Sequence, residues 1–405
     1  MTKSRILILA VFVLSALFCT ATNPFYTNKD SVPNRIIHLA GIDFRPAYVF
    51  PTNVFFKGDN LAGKPIRTNL SGHLKYGFKF APETFLGQIY PHAVQGIGIA
   101  FNTFYNRSEL GNPMAVYVFQ TSRLATLTSK LSLDYEWNFG ASFGWKTYDE
   151  TINPKNRAIG SKINAYINLG MLICWQLNRN TQIKAGINVT HFSNGNTVYP
   201  NAGVNTVGGS LGIVRSFSSE IQEKADIAHH NTFKPFVSYD LIFYGATRKK
   251  GVTLCNQTHA LAPGSYGIAG FQFNPLYNFN HYFRAGISLD AQYDESANIN
   301  SHIVNNESDL DSENIRFYRP SFSEQFSVGI SARAEIVMPV FSVNFGIGHN
   351  VFGKGSDKNS FYQMIALKTD ITRYLFLHVG YQLYKFKEPN NLMLGFGIRL
   401  NAPKR

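Results

Sequence analysis

Charge is scarce in this 405-residue chain: only 16% of residues are Asp, Glu, Lys or Arg. A disordered chain would be rich in charge and poor in aromatics. This one is 14% aromatic, with 34 Phe and 21 Tyr, so disorder is excluded. Cysteine is scarcer still, three in all, which excludes a disulfide scaffold. After the N-terminus no run reaches the roughly 18 consecutive apolar residues that a bundle of membrane-spanning helices would need. The sequence has no phosphate-cradling glycine loop, no zinc-ligand spacing and no dinucleotide fingerprint. Acidic residues number 25 against 38 basic ones, a formal net charge of +13. No basic run is interleaved with aromatics, however, so nucleic acid is not the expected partner. What is abundant is apolar and aromatic residues, 44% hydrophobic, with 33 Gly. The length would make about two to three ordinary soluble domains. A large β-rich exported protein fits these bounds.

The first residues point to export. Lys3 and Arg5 precede the apolar run Ile6 to Phe18, and Cys19-Thr20-Ala21 is a cleavage site of loose A-x-A type. Residues 1–21 are therefore expected to be a signal peptide. A membrane anchor would need a longer apolar run. Phe18 is too bulky for the position before a lipidated Cys19. Loss of Lys3 and Arg5 takes the net charge from +13 to +11. For an exported basic protein, anionic lipid or polysaccharide is a better partner than nucleic acid. The mature chain keeps Cys174, within a strand pattern, and Cys255, in a loop; nothing in the spacing supports a bond between them.

The body of the chain alternates. From Leu131 to Lys146 the odd positions read Leu, Leu, Tyr, Trp, Phe, Ala, Phe, Trp, and the even ones Ser, Asp, Glu, Asn, Gly, Ser, Gly, Lys. Side chains on a strand point to opposite faces in turn, so one face is apolar and the other polar. The same pattern recurs from Phe283 to Tyr293, from Phe326 to Ile336 and from Leu392 to Leu400. Strands of a soluble sandwich or propeller, the alternative fold, are usually about 5–6 residues. These runs of about 10–16 residues match a tilted crossing of a bilayer. Asp134, Glu136, Arg333 and Glu335 on the polar face suit a barrel lumen, and Trp145, Tyr148, Trp175 and Tyr374 suit interfacial girdles. Closure removes the unpaired edges that lipid would not tolerate. The expected fold is all-β: an antiparallel transmembrane β-barrel of the bacterial outer membrane, with about 12–16 strands.

Turn lengths supply a topology. Short connections fall near residues 178–180, 278–280, 337–339 and 370–372. Long ones fall at 147–160, 194–204, 248–262, 295–320 and 351–360. Short turns belong in the periplasm and long loops outside. Parity leaves one exception, 217–232, a long connection on the periplasmic side. The draft is sixteen strands, both termini periplasmic, in a single barrel domain over residues 22–405 with no linker.

One segment carries chemistry. Residues 191–195 read His-Phe-Ser-Asn-Gly, at the end of a strand whose apolar face holds Ile183, Ala185, Ile187 and Val189. His191 and Ser193 continue that series, so both point toward lipid. An imidazole beside a hydroxyl can take its proton as the oxygen attacks a carbonyl. On the returning strand Asn205 shares the outward parity of Val207, Leu211 and Ile213, and could orient His191 through its other nitrogen. Asn194 and Asn201 are candidate oxyanion donors. The plainer reading is that Asn-Gly marks a turn and that these residues line a wet rim. The lipid-facing placement favours use, because polar groups there are costly.

These residues resemble two enzyme families. His191-Phe192-Ser193-Asn194-Gly195 followed by Asn201-Ala202-Gly203-Val204-Asn205 resembles the lipid A 3-O-deacylase (PagL) family, also labelled acyloxyacyl hydrolase. The resemblance implies an outer-membrane barrel that removes an ester-linked acyl chain from lipid A, with Ser193 as nucleophile, His191 as base, and Asn194 and Asn201 in support. The third catalytic member of that family is Glu; Asn205 stands at the matching position, and no acid occurs between Glu150 and Glu220. The triad His191/Ser193/Asn205 is also similar to that of outer membrane phospholipase A, whose third member is Asn. That family uses calcium at a dimer interface, but its calcium-binding Arg and Ser are not matched by Asn196 and Asn201. Both resemblances cover about residues 181–213. The expectation is a serine ester hydrolase acting on lipid A of the outer leaflet, without a cofactor. Phospholipid is the alternative substrate, with calcium entering only there and a homodimer left open. A non-enzymatic porin or structural barrel is the other class, since a sixteen-stranded barrel is wide enough for a channel unless Tyr166, Phe376 and Tyr384 plug it. The acidic residues Asp294, Glu295, Glu307, Asp309, Asp311 and Glu313 lack the glycine of an EF-hand and read as a solvated loop. His229-His230 read as bystanders.

Overall fold

The computed structural model describes residues 36–217, 233–254, 259–304, 315–355, 361–386 and 388–401. The expected signal peptide, Cys255, His229, His230 and the acidic residues from 307 to 313 lie outside the described residues.

Long alternating runs become long strands. The first eight are β1 (Ile36–Val49), β2 (Thr68–Phe80), β3 (Val94–Thr103), β4 (Gly111–Thr126), β5 (Leu131–Trp145), β6 (Ile163–Asn178), β7 (Thr181–Ser193) and β8 (Val204–Ser216). Each pairs antiparallel with the next, and β8 returns to pair with β1, closing a barrel. Then comes β9 (Phe236–Arg248), followed by a two-stranded hairpin of β10 (Gly251–Thr253) and β11 (His259–Leu261). The remaining strands are β12 (Tyr266–Asn278), β13 (Phe283–Asp294), β14 (Phe326–Val337), β15 (Phe341–Phe352), β16 (Phe361–Asp370), β17 (Leu375–Tyr384) and β18 (Glu388–Leu400). With β9, which pairs both β12 and β18, they close a second eight-stranded barrel.

This corrects the expectation of one barrel of about 12–16 strands over residues 22–405. The strands are those of the sixteen-strand draft, and they are antiparallel, but they form two rings of eight. The anomalous connection after Ser216 is explained: it joins two closed barrels. Alternation and turn length report which face a residue takes and which end a loop occupies. Neither reports which distant strand completes the ring.

Both barrels are inside out relative to a soluble protein. On β6 the outward Ile167, Leu169, Met171, Ile173 and Trp175 are all exposed; on the second barrel so are Ile287, Ile330, Ile347 and Phe396. Such an apolar outer band is what lipid requires. The lumens hold the charge. In the first, Arg45 contacts both Asp43 and Glu136 at 2.7 Å, and Lys75 contacts Glu136 at 2.6 Å. In the second, Lys368 reaches Glu335 at 2.6 Å and Asp240 at 2.9 Å, and Arg399 reaches Asp240 at 2.9 Å. An eight-stranded barrel is only wide enough to be filled by side chains. Tyr166, Phe376 and Tyr384 are buried in these lumens. A cavity of about 40 Å³ persists beside Lys75, Glu136 and Lys184, room for a few waters. The wide bore of a sixteen-stranded porin is not formed.

Trp145 departs from its expected girdle position. Gly144 adopts φ +86°, and the β4–β5 register shifts between Gly111 and Met114. This bulge turns Trp145 inward, where it is buried and its Nε1 donates to Ser142 Oγ at 2.9 Å. Trp175 and Tyr374 stay exposed on the outside, as expected.

The barrels pack side by side. Trp137 and Phe139 of β5 and Val118 of β4 meet Met338, Phe341 and Leu367, with the Trp137 and Phe341 rings edge to face at 5.1 Å. At the short-turn end, Tyr90 Oη donates to His281 O at 2.7 Å and Tyr282 Oη to Ile89 O at 2.8 Å.

Candidate active site

β7 sets the faces of the site. Lys184, Asn188, Thr190 and Phe192 point into the lumen and are buried, while Ile187 (66% exposed) and Val189 (52%) point outward. His191 and Ser193 continue the outward series. Behind them Phe192 is locked into an aromatic cluster with Phe104, Trp145 and Tyr166, at centroid distances of 5.1–6.1 Å. The strand end that carries the site is therefore held from the lumen side.

Asn205 stands directly opposite His191 in the β7–β8 register. His191 Nδ1 and Asn205 Oδ1 are 2.6 Å apart. An amide oxygen only accepts, so Nδ1 carries the proton and Nε2 keeps its lone pair. That tautomer can accept a proton from a hydroxyl. Ser193 is 8% exposed, and its hydroxyl makes no hydrogen bond with the described residues. One χ1 rotation sets the direction in which it points.

The loop 194–203 is tightly braced. Asn194 N donates to Asn201 Oδ1 at 2.9 Å, Asn194 Nδ2 to Val198 O at 2.6 Å, and Thr197 N to Asn194 Oδ1 at 3.1 Å. The Asn194 side chain is thus spent on the turn. Asn201 has its oxygen engaged, while its amide nitrogen has no partner among the described residues. It lies beside the peptide that follows Ser193. Gly203 N donates to Ala158 O at 3.1 Å, tying the loop to that between β5 and β6.

Sequence reasoning missed Gly203. Its φ is +69°, and a Cβ there would lie 2.8 Å from Phe192 O and 3.2 Å from His191 Cε1. Glycine lets the returning chain pass against the imidazole. Its signal in the sequence is a glycine placed directly before the returning strand. Sequence reasoning also missed Tyr381, Asn390 and Leu392, which approach the loop from the second barrel. Nothing local in the sequence marks them. Among the described residues no group of three His, Cys, Asp or Glu comes together as a metal cluster.

Fold and site define an outer-membrane-type β-barrel protein with a His/Ser/Asn constellation on its outer wall. Residues 72–214 match the family model described as "Lipid A 3-O-deacylase (PagL)", and residues 237–402 match "Acyloxyacyl hydrolase, C-terminal domain". The chain belongs to this family, one of hydrolases acting on ester bonds. The boundary between the two matches falls where the first barrel ends and the second begins. No curated protein matches the sequence. Among solved structures, it is similar to the siderophore receptor PirA from Acinetobacter baumannii, at 8% identity and TM-score 0.22 over 88% of this chain and 69% of that one. It is also similar to the COG4313 outer membrane channel from Pseudomonas putida F1, at 10% and 0.18 over 92% and 96%. A third likeness is to Omp33 from Acinetobacter baumannii, at 10% and 0.15 over 90% and 98%. Likeness at this level carries no functional argument.

Proposed function

We propose that this protein is an outer-membrane serine esterase that releases an ester-linked acyl chain from lipid A of the outer leaflet. The observation that carries the reading is the 2.6 Å contact of His191 Nδ1 with Asn205 Oδ1 on the lipid-facing wall, with Ser193 next in the same outward series. In this reading His191 Nε2 takes the proton of Ser193 as Oγ attacks the ester carbonyl. The alcohol leaves with that proton, and water then cleaves the acyl-enzyme by the same route. Asn205 holds the ring and its tautomer. Asn201 Nδ2 donates to the oxyanion, and Asn194 fixes Asn201. The scheme needs no resident metal.

Phospholipid is the second reading, favoured by Asn rather than Glu at 205. Mass spectrometry of outer-membrane lipids from cells carrying wild type or Ser193→Ala separates the two. Lipid A lacking one acyl chain only with wild type supports the deacylase. Lyso-phospholipid instead supports the phospholipase, and a chelator then tests calcium. No change in either pool, with the barrels folded, removes hydrolysis.

A further inference from the structure

The loop that follows Ser193 belongs to the first barrel, yet the second barrel holds it. Lys249 N donates to Thr197 O at 2.7 Å, and residues 198 and 249 form a parallel bridge. Asn196 Nδ2 donates to Asn390 O at 3.1 Å. Gly195 lies against the second barrel: a Cβ there would be 3.3 Å from Leu392 Cβ and 3.5 Å from Tyr381 Cε2. Leu392 and Tyr381 are direct cross-strand partners on β18 and β17.

Ser193 and Gly195 are two trans peptides apart, at most about 7–8 Å between Cα atoms. An apolar pair from the far end of the chain therefore stands within about 12 Å of the Ser193 Cα. Toward the bilayer, Ile187 and Val189 of β7 stay exposed on one side, and Leu394 of β18, next outward after Leu392, stays exposed on the other. These side chains are apolar and exposed. An ester whose carbonyl meets Ser193 must lay its chain toward the hydrocarbon, along such a surface.

We propose that Leu392 and Tyr381 form the wall against which the scissile acyl chain lies, so that the second barrel sets chain selectivity for the first. This rests on the esterase reading above. The occupant is one unbranched fatty acyl chain.

The test uses the full-length protein in detergent with p-nitrophenyl butyrate and myristate. The readout is the ratio of kcat/KM for the long ester to that for the short one. Leu392→Trp should lower this ratio at least tenfold, and Leu392→Ala and Tyr381→Ala should move it by threefold or more. Ile398→Trp, on the same outward face near the other end of β18, should leave it at the wild-type value. A ratio within twofold of wild type in all three site variants overturns the proposal, as does an equal shift with Ile398→Trp. Folding is checked by heat-modifiable gel mobility; if Leu392→Trp fails to fold, the two alanine variants decide. A different failure is separable: if wild type cleaves neither ester, or Ser193→Ala cleaves both as well as wild type, the esterase reading falls and takes this proposal with it.

Discussion

At position 205 an amide stands where the family has a carboxylate. Asn205 contacts the ring of His191 at 2.6 Å, but it would offer no charge to the imidazolium of the proposed reaction. Two substitutions separate these roles. Asn205→Ala removes the acceptor, so the ring can rotate; kcat is expected to fall by about 100-fold, the scale of an ångström misplacement. Asn205→Asp is isosteric, keeps the acceptor and adds charge, so kcat should rise several-fold; an unchanged kcat would mean that charge does not matter there. Gly203 gives a third handle. Gly203→Ala must place a Cβ 2.8 Å from Phe192 O in a backbone region costing roughly 1–2 kcal/mol for an L-residue. Activity should drop while the barrel still shows its heat-modifiable mobility. The shared outward face of His191 and Ser193, and the outward parity of Asn205, were legible from the sequence because a two-residue period fixes which side chains share a face. Gly203 was not, because its role lies in how closely two strand ends approach.

Strands were the most legible elements, and their one failure is instructive. The alternation from Leu131 predicts Trp145 outside, but the left-handed Gly144 inserts a bulge and reverses the face for a single residue. A glycine on the polar face gave no warning, since several others there, such as Gly140, stay in register. The charges that the alternation assigns to the lumen do lie there, bonded into closed networks. Glu136 accepts from Arg45 at 2.7 Å and Lys75 at 2.6 Å, with all three buried. Glu136→Gln leaves two buried cations sharing Asp43 alone. Breaking a buried pair in this way costs about 3–5 kcal/mol. The temperature at which the folded gel band converts to the unfolded one should fall markedly. The equivalent exposed pair, Lys155 with Asp59 at 2.9 Å, should be nearly silent on substitution.

Ring closure is a property of the whole molecule, and the sequence pattern is blind to it. Both rings are filled by their own side chains, so planar bilayers containing the protein should show no stable single-channel conductance; steady channels would mean that the lumens open. The pairing of β8 with β1 makes the first ring complete in itself, so a chain ending after Phe217 keeps every strand pairing of that barrel. It is expected to insert and to retain heat-modifiable mobility. It also keeps the His191–Asn205 contact, the bond of Asn194 N to Asn201 and that of Gly203 N to Ala158. What it loses are holds on the loop from the second barrel: Lys249 against Thr197, Asn390 against Asn196, and Leu392 with Tyr381 against Gly195. A loop freed at those points samples geometries an ångström or more from the reactive one, so esterase activity should fall by about 100-fold although the triad is untouched. Measured on a folded truncated barrel, full activity would reduce the second barrel to a passenger. A loss confined to long-chain esters would locate its contribution in binding the chain. A loss on all esters would locate it in holding the loop.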